Sequence, residues 1–125
     1  MAFMNVRGDW AIVQSNGPVV EVHVDQNLSP HTGALFLTGN ASHNNGSVRS
    51  RSFRGTLSEG AAGAQIVLVI QWTNGTIGEY HGTFSPSLPG DATLPAVSST
   101  LSGITFDQTN PASQATWRAS KTFTQ

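Results

Sequence analysis

Residues 65–85 read QIVLVIQWTNGTIGEYHGTFS: five consecutive Val, Ile or Leu side chains from Ile66 to Ile70, Trp72, the turn Thr73-Asn74-Gly75-Thr76, and an outgoing stretch through Tyr80 and Phe84. Asn-Gly between two such runs fits a tight hairpin whose turn needs φ > 0. The pattern therefore predicts strands Gln65–Trp72 and Thr76–Ser85, paired antiparallel. The same grammar repeats outward in both directions. Short stretches rich in β-branched and aromatic residues are separated by Gly, Pro and Asn, with no sustained 3.6-residue period along which a helix could bury a face. Further strands are expected at Gly8–Gln14, Val19–Asp25, Ala34–Ala41, Val48–Leu57, Ser98–Asp107 and Gln114–Phe123. Turns are expected at Ser15–Pro18, Asn44-Asn45-Gly46 and Asn110-Pro111, and the proline-rich stretch Pro86–Pro95 reads as a loop. Eight sequential strands with short connections predict an all-β, eight-stranded up-and-down antiparallel barrel, which removes the open edges that eight strands would otherwise present.

The chain has 125 residues, the length of one domain, so residues 1–125 are read as a single barrel. Charged residues make up 10% of it, against about 25% in an average soluble protein, which excludes a charged coiled coil or a polyelectrolyte tail. The net charge of −1 supplies no positive field for a phosphate backbone or an anionic membrane, so neither nucleic acid nor membrane is expected as a partner. With no cysteine there is no disulfide framework and no thiol chemistry, and the compartment stays open. The amino-terminal residues lack the apolar core of a signal peptide, which fits a cytosolic protein or a mature secreted chain. Sequons occur at Asn40, Asn45 and Asn74; in an Asn-, Ser- and Thr-rich chain, chance accounts for them.

No catalytic template fits. None of the serines sits in a nucleophile elbow to work with His23, His31, His43 or His81. His23 with Asp25 and Glu79 with His81 lie two apart on strands, without a third metal ligand at recognisable spacing. The carboxylates form no opposed pair, and no glycine loop leads into a helix. No catalytic residue, metal or cofactor is assigned. Two features break the inside/outside alternation of a half-buried strand. Ile66–Ile70 is apolar on both faces, so its outer face calls for a cover: a second subunit, or the Pro86–Pro95 loop. Arg49, Arg51 and Phe53 share one parity, so if Phe53 faces inward both guanidinium groups lean into the barrel or its mouth. A bulge would shift that register, and a solvated outer face is the alternative. Trp10, after Gly8-Asp9 on the first strand, and Arg118, beside Trp117 on the last, are expected to form a stacked latch where the barrel closes.

Taken together, Gly8-Asp9-Trp10, Trp72 ending an apolar strand, Tyr80-His81-Gly82-Thr83-Phe84, Ala115-Thr116-Trp117-Arg118 and the terminal Lys121-Thr122-Phe123-Thr124 resemble the avidin and streptavidin branch of the calycin barrels. The resemblance spans most of the chain through spacing and aromatic anchors, without a long identical run. It implies a dimeric or tetrameric barrel that binds a small molecule at one open end without catalysis. It also implies that most of the biotin site is altered. Trp72 is similar to one wall tryptophan and Trp117 to the one lent by a neighbouring subunit. The other wall tryptophans fall on Tyr80 and on Ile104 or Phe106. The Asn and Ser that hold the ureido oxygen fall on Ile12 and around Ser15-Asn16, and the Tyr and Ser of the third strand correspond at best to Asn40 and Ser42. Thr76 keeps one polar contact while Gly78 replaces another, and Lys121 stands where the ureido-binding aspartate would be. Several lost hydrogen bonds to a buried ureido group, at about 1–3 kcal/mol each, remove tight biotin binding.

The sequence thus predicts a non-catalytic small-molecule barrel, with Trp10, Trp72, Tyr80 and Trp117 as apolar walls and Arg49, Arg51 and Thr76 as polar anchors for a carboxylate or several hydroxyls. A carbohydrate-binding lectin, relying on avidity from oligomerisation, is the first alternative. A small barrel enzyme that shapes a bound substrate is the second.

Overall fold

The structure, a computed structural model, describes residues 4–28, 35–60, 63–85 and 98–124. Among them are eight strands and no helix: β1 (Gly8–Gln14), β2 (Val19–Leu28), β3 (Leu35–His43), β4 (Val48–Gly60), β5 (Gly63–Trp72), β6 (Ile77–Ser85), β7 (Thr100–Asp107) and β8 (Asn110–Ala119). Each pairs antiparallel with the next, and β8 pairs back to β1, giving the closed up-and-down barrel the sequence predicts. The turns carry the expected backbone. Asn44, Asn45 and Gly46 all have positive φ (54°, 55° and 82°), and Gly75 has φ 91°. Asn110-Pro111 is different. The chain reverses at Gln108-Thr109, and Asn110 and Pro111 already begin β8, where a proline near the strand's start costs no interior ladder bond. At the far end β8 stops at Ala119, and Phe123 forms only an isolated bridge with Ser99.

The closing seam is short. Its register runs through Ile12–Ala119, Val13–Arg118 and Gln14–Trp117. Ser15 N–H donates to the Thr116 carbonyl (2.9 Å) and Ser120 N–H to the Ala11 carbonyl (2.8 Å). Serine hydroxyls complete the ladder at each end: Ser120 Oγ accepts from Ala11 N–H at 2.8 Å and Ser15 Oγ from Thr116 N–H at 3.2 Å. Backbone donors at the ends of the seam are thereby satisfied.

The interior follows period-2 alternation, with Ile12, Val20, Val22, Val24, Leu37, Ile66, Leu68, Ile70 and Leu101 buried. Glycine makes room where an aromatic ring must enter: a Cβ on Gly82 would lie 2.8 Å from the Trp117 ring. On β5 the apolar run divides as expected, with Ile66, Leu68 and Ile70 inside and Val67 and Val69 half-buried on the outer face. The loop Pro86–Pro95, weighed as a cover for that face, lies outside the described residues.

Both termini fold over the end of the barrel that holds the start of β1. Met4 and Val6 are fully buried there, and Asn5 N–H donates to the Thr124 carbonyl at 2.8 Å. Gln26, a buried polar side chain, is satisfied by this segment: its Oε1 accepts from Val6 N–H (3.0 Å) and its Nε2 donates to the Met4 carbonyl (3.1 Å). Trp10 completes the plug, its indole N–H donating to the Val6 carbonyl at 3.0 Å. Phe123 meets the Trp10 ring edge-on at 5.1 Å and Phe84 at 6.0 Å.

The expected Trp10–Arg118 latch is not formed. The seam register places Arg118 opposite Val13, three residues beyond Trp10, and its side chain is exposed. Two other cations stand at the plug instead: Lys121, whose Nζ lies 5.5 Å from the centre of the Phe123 ring, and Arg7, which donates to the Gln26 carbonyl at 2.9 Å. Trp10→Ala, which empties the plug, is expected to cost about 3–5 kcal/mol, whereas Arg118→Ala is expected to change stability by less than about 0.5 kcal/mol. Urea unfolding of the two variants, followed by near-ultraviolet circular dichroism, checks the pair; equal midpoints would show that the plug does not hold the fold.

Candidate functional site

One end is plugged, and the opposite end is the one where Ser15–Pro18, Asn44–Ser47, Thr73–Thr76 and Gln108-Thr109 turn. There a cleft of about 130 Å³ opens between Asn16, Trp72, Thr76, Gly78, Tyr80, Thr105, Phe106, Asp107, Ser113 and Ala115. The wall is built by alternation on β5, β6 and β7. Trp72 ends the inward series Ile66, Leu68, Ile70, while Tyr80 follows Gly78 and Thr105 follows Leu101 and Gly103. A Cβ on Gly78 would meet the Tyr80 hydroxyl at 3.0 Å, so glycine at this position leaves Tyr80 the space to stand across the mouth.

Tyr80 is 4% exposed. Burial pushes its hydroxyl pKa up to about 12, against hydrogen bonds shared with Thr105, Trp72 and Gln14, so the ring stays neutral. Because an indole only donates, the Trp72 N–H is the donor in its bond with Tyr80. The other side of Trp72 meets His43 edge-on at 4.6 Å and 84°. Burial holds His43 below the usual imidazole range. Behind Tyr80 stands Trp117, 6.4 Å away and nearly perpendicular, with its indole N–H donating to the Ile104 carbonyl at 2.9 Å.

The rim is polar. Asn74 Oδ1 accepts from both the N–H and the hydroxyl of Thr76 (3.1 and 2.7 Å), tying Thr76 to its turn. Asp107 Oδ1 accepts from the N–H and the hydroxyl of Thr109 (2.9 and 2.8 Å). These bonds, backbone first, hold the Asp107 carboxyl below its ordinary pKa, so it stays ionised.

Comparison with protein-family models, with curated proteins and with solved structures finds no match to this chain.

Of the seven residues singled out from sequence, three come together here: Trp72, Thr76 and Tyr80. Trp117 lies within its own barrel rather than projecting toward a neighbour, since Gly82 and Leu101 surround its ring. Trp10 belongs to the plug at the other end. Arg49 and Arg51 do not lean inward. Between Ser50 and Ser52, β4 gains one residue relative to β5, where Ser50 pairs with Trp72 and Ser52 with Gln71. That bulge reverses parity, so Ser50 turns toward the interior while both arginines are exposed; Arg49 Nε donates to the Gly46 carbonyl at 3.3 Å.

Three counterparts implied by the resemblance shift for similar reasons. On β3 the inward series is Leu35, Leu37, Ala41 and His43, so Asn40 and Ser42 point outward. On β7 the inward residue at the mouth is Thr105, not Ile104 or Phe106, and Phe106 stacks on His81 outside at 5.8 Å. Lys121 stands at the plugged end and brings no charge to the mouth. His43, Thr105 and Asp107 were not singled out from sequence; extending the alternation of β3 from Leu37 and of β7 from Leu101 reaches all three.

Outside the barrel, β1 to β3 carry a larger groove of about 480 Å³, whose polar lining includes Asp9, Glu21, His23, Asn40, Ser42 and Ser120. His23 Nδ1 lies 2.7 Å from Asp9 Oδ1 and its Nε2 3.8 Å from Asp25 Oδ1. Its pKa is raised above 6.5, first by the hydrogen bond to Asp9 and further by both aspartate charges. Among the described residues no group of three or more His, Asp or Glu is placed to hold a metal ion.

The two histidines give opposite pH dependences. For His23, with its folded pKa raised, the stabilisation is complete below 6.5 and is lost as pH rises through the folded value. For His43, with its folded pKa lowered, stability is complete above 6.5 and is lost as pH falls through the folded value. Urea midpoints measured between about pH 5 and 8 are expected to lose their acid-side fall in His43→Gln and their alkaline-side fall in His23→Gln. A His43→Gln profile that still falls on the acid side would count against the packing of His43 on Trp72.

Proposed function

We propose that this barrel is a non-catalytic binding protein that holds a small molecule in its open end and binds biotin weakly or not at all. One observation carries the reading. A barrel filled by its own side chains and plugged by its termini at one end keeps a cleft at the other, walled by Trp72 and Tyr80 and rimmed by Thr76, Thr105 and Asp107. Apolar rings with a few fixed polar groups are the usual make-up of a small-ligand site. The cleft, about 130 Å³, is below the roughly 300–1,000 Å³ of drug-sized pockets and equals about four waters at 30 Å³ each. The ligand is therefore small. Biotin is disfavoured because Ile12 and Ala41 are apolar and buried and no cation lines the mouth to meet its carboxylate.

The lectin alternative draws on the outer groove, where carboxylates, an amide and hydroxyls converge on a shallow surface suited to sugar hydroxyls. We also propose self-association through the outer face of β5 to β7. Val67, Val69, Ile77 and Phe106 are half-buried there and Ile104 is 38% exposed. The register sets Glu79 and His81 of β6 between these side chains, and exposed apolar surface bordered by polar residues is a common mark of a protein interface.

Calorimetric titration with biotin is expected to give no submicromolar dissociation constant, and a glycan array read beside a thermal-shift panel of small molecules separates the mouth from the groove. Light scattering at micromolar concentration is expected to give a multiple of 13.2 kDa, reduced by Val69→Glu, since a charge buried unpaired costs several kcal/mol. A monomer mass for the wild type would refute the self-association.

A further inference from the structure

We propose that the open end selects a small organic ammonium ion, with Asp107 as its counter-charge; this rests on the reading of the mouth as the binding site. Of the ten residues lining the cleft, Asp107 is the only one with an ionised side chain, and no lysine, arginine or histidine is among them. Asp107 accepts hydrogen bonds from the N–H and hydroxyl of Thr109 and from the Ile77 backbone. All three donors are neutral. They orient the carboxylate and leave its charge uncompensated, and since a carboxylate offers about four acceptor positions, one stays open for a ligand.

The exposed arginines of β4 do not cancel this charge across the mouth. The bulge at Arg51 turns both away from the interior, and Arg49 is bound to the Gly46 carbonyl. A carboxylate ligand, the other chemistry the sequence suggested, would meet Asp107 without a partner. An ammonium would meet a charge-assisted acceptor, about twice as strong as a neutral one, while its short alkyl chain lies against Trp72 and Tyr80. The volume of the cleft restricts that chain to a few carbon atoms.

Three near-isosteric probes test this: isobutylammonium, isobutanol and isobutyrate, titrated at pH 7 and low salt while the Trp72 indole N–H resonance is followed by ¹H–¹⁵N NMR. The expected order is ammonium, then alcohol, then carboxylate, with the ammonium about tenfold tighter than the alcohol, the factor that one charge-assisted bond supplies. Asp107→Asn keeps an oxygen for Thr109 and so keeps the turn; in it the ammonium and the alcohol are expected to bind equally. Asp25→Asn, the same change of net charge on the outer wall, should leave the tenfold preference in place. An ammonium no tighter than the alcohol, or a preference that survives Asp107→Asn, overturns the charge selection while leaving the mouth as a site for neutral molecules. No shift with any of the three probes overturns the mouth reading, and this inference falls with it.

Discussion

The closing seam between β1 and β8 is the constraint on which the rest of the molecule depends. Seven of the eight strand pairings join neighbours in sequence. The eighth joins residues more than a hundred positions apart, through three register pairs and two serine hydroxyls. Loop-closure entropy weighs most on this pairing, yet without it both edge strands would be left with unpaired N–H and C=O groups. The interior needs it as well. Ile12 and Trp117 sit on the two seam strands, and both are buried only when those strands meet.

Closure makes a tube, and the chain then treats its two ends differently. The end that receives both termini is stoppered by Met4, Val6, Trp10 and Phe123, with Gln26 satisfying backbone groups that the stopper would otherwise strand. At the other end only tight turns arrive, and a two- to four-residue turn has no side chains to spare for filling a barrel. Polarity follows the same division. The plugged end buries Gln26 behind two hydrogen bonds and Ser99 beside Phe123, whereas the open end keeps Thr76, Asn16 and Asp107 at the rim. Trp72 and Tyr80 join the two regions, since each ring packs downward on the core while sharing one hydrogen bond at the mouth.

This arrangement makes the mouth a stiff site. His43 and Tyr80 hold Trp72 from two sides, and Thr109 and Ile77 hold Asp107. Little side-chain freedom is left to these residues. The outer groove is larger, and the hydrogen bond to Asp9 there raises the pKa of His23.

The sequence by itself determined the class, the strand count and the connectivity. The alternation of apolar residues, the Asn-Gly turns and the short spacing between runs are local signals, and eight strands joined in order have few ways to hide their edges. It also marked Trp72, Thr76 and Tyr80, which flank one hairpin and so stay together whatever the rest does. What it could not determine was parity beyond an irregularity. A single added residue at Arg51 moved Arg49 to the solvent side, and only the pairing of β4 with β5 reveals it. Likewise, Asn40 and Ser42 against Ala41 and His43 is a choice between two faces, decided by which face the neighbouring strands enclose. The neighbours of Trp10 were likewise settled by the stagger of the seam, which sets Arg118 opposite Val13 and leaves Trp10 to Phe123 and the Val6 carbonyl. Faces, stagger and end-plugging are properties of paired strands, and no single strand carries them.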